Sequence, residues 1–158
     1  AVKALEILAK KAGITGMVGG QVVDVELTGK KPDKDQLDFI FRLKTGALLE
    51  ASLMVGAALA GADEKDIELM EKAGLNIGMA FQIQDDILDV VGDEALLGKP
   101  IGSDAQEGKN TFVTMFGLDG AKEYLADITA DAKEVLKTLG ERGQFLDSLA
   151  EYLLGRKY

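Results

Sequence analysis

Ten residues near the middle of the chain, Phe81-Gln82-Ile83-Gln84-Asp85-Asp86-Ile87-Leu88-Asp89-Val90, constrain the fold more than any other stretch. Leu75, Ile77, Met79, Ala80 and Val91 surround them, so a helix through this region is apolar around most of its girth and belongs in an interior. Gln82, Asp85, Asp86 and Asp89 break that pattern at i, i+3, i+4 and i+7, the spacing of one polar stripe. Three carboxylates on a buried helix are costly to desolvate unless ion pairing or a cation neutralises them. Mg²⁺ answers that need, because it takes hard oxygen ligands and is commonly shared between one or two carboxylates and a phosphate. The alternative is a solvated acidic face on a helix that is apolar elsewhere.

Composition narrows the setting. A chain of 158 residues holds one domain with a real core. Its net charge of −9 argues against a general nucleic-acid binder, which needs a basic surface. With no cysteine and no histidine, any metal must sit on oxygen. Residues 1–12 carry lysines and no uninterrupted apolar run, so they do not read as a signal peptide. The most apolar stretch, residues 45–62, is interrupted by Glu50 and Ser52 and reads as a core helix rather than a membrane span. The sequence opens on Ala1, not Met, so the chain is expected to be processed or to be part of something longer.

The periodicity is helical nearly throughout. Val2, Leu5, Ile7, Leu8 and Ala12 outline a first helix that Gly13 would end. Residues 17–26 are ambiguous: their valines favour a strand, while a helix would group Met17, Gln21 and Asp24 on one side. A long helix is expected to open at Asp35 and continue through Ala60. Asp63 is a natural N-cap for a second long helix reaching Val91. Residues 94–110 read as loop. Helical spacing returns at 111–116, resumes after Gly117-Leu118-Asp119-Gly120 to about Leu139, and returns once more around Phe145 to Leu153. The fold class is all-α.

Three further features sit where packing alone would not ask for them. Lys44-Thr45-Gly46 places a cation and a hydroxyl inside an apolar helix, although a lone lysine there can simply snorkel. Lys99 and Lys109 flank a glycine-bearing loop that could cradle a phosphate, although surface loops carry lysines routinely, and this one lacks the order of a P-loop. Together with the acidic stripe they can converge on a polyanion bridged by Mg²⁺.

These segments resemble, in order, the motifs of the trans-isoprenyl diphosphate synthases, of the short-chain bacterial farnesyl or geranylgeranyl type. Gly19-Gly20-Gln21 with Asp24 is similar to the family's glycine–glutamine–aspartate segment, and Lys44-Thr45-Gly46 to its lysine–threonine–glycine motif. Phe81-Gln82 with Asp85-Asp86 and Asp89 resembles its second aspartate-rich motif, and Gly98-Lys99-Pro100 through Lys109-Asn110-Thr111 its diphosphate-binding loop. The resemblance covers all of residues 1–158 and identifies them with the C-terminal portion of a single domain.

The resemblance implies a bundle of long helices around a central cavity, usually dimeric, cytoplasmic and Mg²⁺-dependent. It also implies an enzyme that would condense an allylic diphosphate with isopentenyl diphosphate. Lys44, Thr45, Gln82, Lys99 and Lys109 would hold the allylic diphosphate, with Lys44, Thr45, Gln82 and Asp85 the catalytic set. Asp85 would ligate Mg²⁺, supported by Asp86 and Asp89. Gln21, Asp24 and Phe81 would line the cavity, approached by Arg156 and Lys157. Phe41 and Leu43 stand where many members have histidines. The family's first aspartate-rich motif and its isopentenyl diphosphate site have no counterpart here. The chain alone is therefore expected to be inactive and, with apolar surface on the Asp85 helix and the 45–62 helix left uncovered, to self-associate. A non-catalytic helical subunit of a partner synthase and a class I terpene cyclase are the alternative readings. The complete carboxylate and lysine set argues against the first. The lysine–threonine–glycine motif and the aspartates of the second metal site argue against the other.

Overall fold

The computed structural model describes residues 1–92, 101–102 and 109–155. Within them the chain is all helix and turn, as the periodicity requires. In order come α1 (Val2–Ala12), α2 (Met17–Glu26), α3 (Lys34–Phe41), a π-helical turn (Arg42–Gly46), α4 (Ala47–Leu59), α5 (Glu64–Val91), α6 (Phe112–Lys137), a 3₁₀ turn (Gly140–Gly143) and α7 (Gln144–Leu154). The 17–26 ambiguity resolves as a helix. Lys99, Arg156 and Lys157 lie outside the described residues.

Helix starts follow local chemistry. Asp63 accepts from the Asp66 amide at 2.9 Å and opens α5 as expected. The start of α3 lies slightly ahead of the expected Asp35, because Asp33 accepts from Gln36 N (2.8 Å) while the Gln36 side chain accepts from Asp33 N (3.0 Å). That reciprocal pair satisfies two otherwise orphaned donors. The single helix expected from Asp35 to Ala60 is divided by the π-helical turn. The break expected at residues 117–120 is present within α6: Gly117, at φ 74° and ψ 168°, is not helical and divides it by a kink, in a conformation strained for other residues.

Helix α5 is the axis, 28 residues and about 42 Å long. It packs chiefly against α4 on one side and α6 on another. Around one half, Met54, Ile67, Met70, Ile77 and Leu136 form a core; around the other, Leu37, Phe41, Met79, Ile83 and Phe112 form a second. The α4–α5 crossing is backbone on backbone. A Cβ on Gly74 would stand 2.6 Å from Glu50 Cα, and one on Gly78 2.8 Å from Gly46 Cα. Only glycine permits that approach.

Much of the apolar girth of α5 is covered from within the chain, while Val90 and Val91 at its end and Leu48 and Leu59 on α4 are exposed. Exposed apolar residues also lie on α1 and α2, where Leu5, Val18, Val22 and Val25 face solvent. No helix among the described residues is long and apolar enough to cross a membrane.

One ion cluster ties α1 to the axis. Lys11 donates to Glu50, which is 6% exposed, and to Glu71 at 2.6 Å. Removing one partner of a buried pair strands the other charge, so Lys11→Met is expected to destabilise by about 3 kcal/mol in denaturant titration. Burial pushes the Lys11 ammonium down, but the hydrogen bonds and charges of Glu50 and Glu71 outweigh it and raise its pKa overall. The native state therefore holds this proton more tightly than the unfolded one. Its contribution is complete below the ordinary lysine value of 10.5 and is lost as pH rises through the higher native value. Melting temperature against alkaline pH should fall less steeply in Lys11→Met than in the parent chain.

Candidate active site

Helix α2, the π-helical turn, α5 and the start of α6 enclose a cavity of about 320 Å³. Asp24, Lys44, Gln82, Asp86, Lys109 and Thr111 are among its walls. Two backbone features bring these groups together. Gly20 lets α2 press onto the turn, since a Cβ there would lie 2.4 Å from Lys44 N. The π-helical turn widens the helix at Arg42–Gly46, so Lys44 and Thr45 sit in an irregular stretch; such turns frequently mark functional sites.

The polar groups form two sets. Lys44 Nζ donates to Asp24 Oδ2 at 2.6 Å, spanning from the turn to α2. Thr45 Oγ1 donates to Gln82 Oε1 at 3.0 Å, and Gln82 Nε2 donates to Asp86 Oδ1 at 3.0 Å. Phe112 N, at the first position of α6, donates to Asp86 Oδ2 at 2.9 Å. Asp86 and Asp89 are each only 2% exposed, whereas Asp85 is half-buried. Behind this set, the Phe112 ring stacks between Phe41 (5.1 Å) and Tyr124 (5.2 Å), which fixes where α6 begins. The N-cap Thr111 accepts from Thr114 N at 3.1 Å, and Asn110 Nδ2 donates to the Lys30 carbonyl at 3.0 Å.

The structure brings Asp24, Lys44, Gln82, Asp86 and Lys109 to one cavity, with Thr45 joined to it through Gln82. Asp85, Asp89, Phe81 and Gln21 are not among its walls; Gln21 is exposed on α2 and Phe81 is half-buried on α5. Asn110 and Thr111, from the segment that resembles the diphosphate-binding loop, line the cavity, and so does Thr28, which no sequence motif marks. Thr111 carried a signal, a cap residue directly before an apolar run. Asp38, on α3, lies away from this cavity with one oxygen buried and unpartnered. Burial pushes its carboxyl pKa up. Its native pKa exceeds the unfolded one, so it opposes folding at neutral pH and ceases to as pH falls through the native value. Asp38→Asn should therefore raise the melting temperature at pH 7 and flatten its acid dependence.

Among the described residues no three acidic side chains gather tightly enough to hold a metal unaided. The donor set is still all oxygen. An ion that takes one or two carboxylates and completes its shell with phosphate and water fits such a site.

The model of the polyprenyl synthetase family matches residues 1–148. The chain is 44% identical over 153 residues to farnesyl diphosphate synthase of Escherichia coli, covering 94% of this chain and 51% of that one. It is 40% identical over 154 residues to farnesyl diphosphate synthase of Geobacillus stearothermophilus, covering 98% and 52%. A Helicobacter pylori geranyltransferase complexed with magnesium and isoprenyl diphosphate superimposes with a TM-score of 0.82 at 33% identity, covering 98% of this chain and 50% of that one. The chain belongs to the polyprenyl synthetase family. It spans about half the length of the curated relatives it matches.

Proposed function

We propose that this chain is the diphosphate-holding, C-terminal portion of a Mg²⁺-dependent prenyltransferase that joins an allylic diphosphate to isopentenyl diphosphate. The observation that carries the reading is the cavity itself, where Lys44 and Lys109 meet the Gln82–Asp86 face of α5 in a chain related to farnesyl diphosphate synthases. Lys44 and Lys109, joined on the family resemblance by Lys99, neutralise the diphosphate. Asp85 is the main Mg²⁺ ligand, with Asp89 and Asp86 in support. Bound there, the ion supplies positive charge against the leaving diphosphate. Gln21, Asp24 and Phe81 border the space between the substrates. Asp24 holds Lys44 extended until a phosphate competes for it. The stacked Phe41, Phe112 and Tyr124 rings give the site an apolar backing that keeps water from the reacting carbon.

Turnover needs the other half that the relatives carry, so the 158-residue chain by itself is proposed to be inactive. We place the enzyme in the cytoplasm. The exposed apolar rows of α1 and α2 support a homodimer across that face, with Val22 and Val25 50% and 61% exposed. Sedimentation should show a dimer or larger, and Val22→Lys should shift it toward monomer; a monomeric parent chain would contradict the proposal.

Calorimetric titration with inorganic pyrophosphate tests the diphosphate assignment. In the presence of Mg²⁺, Lys44→Met should weaken binding by roughly tenfold, the worth of one charge-assisted hydrogen bond. Unchanged affinity would return Lys44 to a snorkelling surface lysine.

A further inference from the structure

The hydrogen bonds around Asp86 run in a fixed direction. A backbone N–H can only donate, and Phe112 N points at Asp86 Oδ2 (2.9 Å). The other carboxylate oxygen accepts in turn, so Gln82 presents its amide nitrogen to Asp86 (3.0 Å) and its carbonyl to Thr45. That carbonyl takes the Thr45 hydroxyl proton (3.0 Å). Thr45 is left with lone pairs for any further partner.

We infer that Asp86 is a positioning residue that sets the donor–acceptor polarity of Gln82 and Thr45, so that Thr45 meets a bound ligand as an acceptor. Its 2% exposure, and its reach to the first turn of α6, suit a group that orients others rather than one that chiefly faces the ligand. Where a diphosphate is taken as the ligand, this inference rests on the proposed function. Phosphate oxygens are then served from the lysine side, and Thr45 faces a donor such as a water molecule held by a cation. The polarity itself does not depend on that reading.

Asp86→Asn separates the two. The amide keeps the size of the carboxylate, and its oxygen can still accept from Phe112 N, but its nitrogen can only donate toward Gln82. Gln82 must then turn over and offer its own nitrogen to Thr45. In proton NMR of the 158-residue chain without ligand, the Gln82 side-chain amide protons should show contacts to the Asp86 β-protons and none to the Thr45 γ-methyl. In Asp86→Asn the contacts should move to the Thr45 methyl, while the Phe112 amide keeps its slow hydrogen exchange. Should the variant fail to fold, the parent spectrum still decides the direction of the chain of bonds. Gln82 amide protons lying against the Thr45 methyl in the parent chain, or an Asp86→Asn spectrum with Gln82 unturned, would overturn the inference. Pyrophosphate binding bears on the diphosphate reading alone.

Discussion

Gly74→Val is expected to destabilise the chain by about 3 kcal/mol or more, a larger effect than any surface change should have. Its Cβ would begin 2.6 Å from Glu50 Cα and 2.9 Å from Glu50 N. These are backbone atoms with no rotamer to escape into, and they belong to the turn of α4 that carries the buried Glu50. Relief requires α4 to move off α5. The same movement would separate Gly46 from Gly78 and Thr45 from Gln82, since all lie along one crossing. Denaturant titration should therefore show lost stability together with weakened pyrophosphate binding. Full stability in Gly74→Val would mean that the crossing is looser than the structure has it.

Asp85→Ala is the second large effect, and it should fall on activity. In a chain extended to the length of its relatives, turnover should drop by about 10²–10³-fold, the usual loss when a group stabilising developing charge is removed. Asp85 is half-buried and is not among the buried polar groups of the core, so the melting temperature should change little. Steady-state prenyl transfer beside a thermal melt would separate the two quantities. Equal turnover in the variant would remove Asp85 from the metal assignment.

Much of this fold was legible because its signals are local. Asp63 before an amphipathic run marks the start of α5, and the carboxylate stripe survives in the structure on one helix. The π-helical turn was not legible. It lies where α2 and α5 approach the chain closely at Gly20 and Gly78, contacts between distant segments that local spacing does not announce. The stripe also could not reveal what each carboxylate meets. Asp85 and Asp86 are adjacent in sequence, yet one is half-buried while the other anchors the first turn of α6, 26 residues away. Helical spacing gives a face; neighbours from distant helices decide what the face does. For the same reason, apolar exposure is found on α1 and α2 as well as on Leu48, Leu59, Val90 and Val91 of the two helices where it was expected.

The central claim is that α2, the turn and α5 build a Mg²⁺–diphosphate site within these 158 residues. Calorimetry of the chain with inorganic pyrophosphate, with and without Mg²⁺, tests it most directly. Binding should appear only with the cation and weaken in both Asp85→Asn and Lys44→Met. Pyrophosphate binding that ignores both Mg²⁺ and these substitutions, or no binding at all at millimolar ligand, would contradict it.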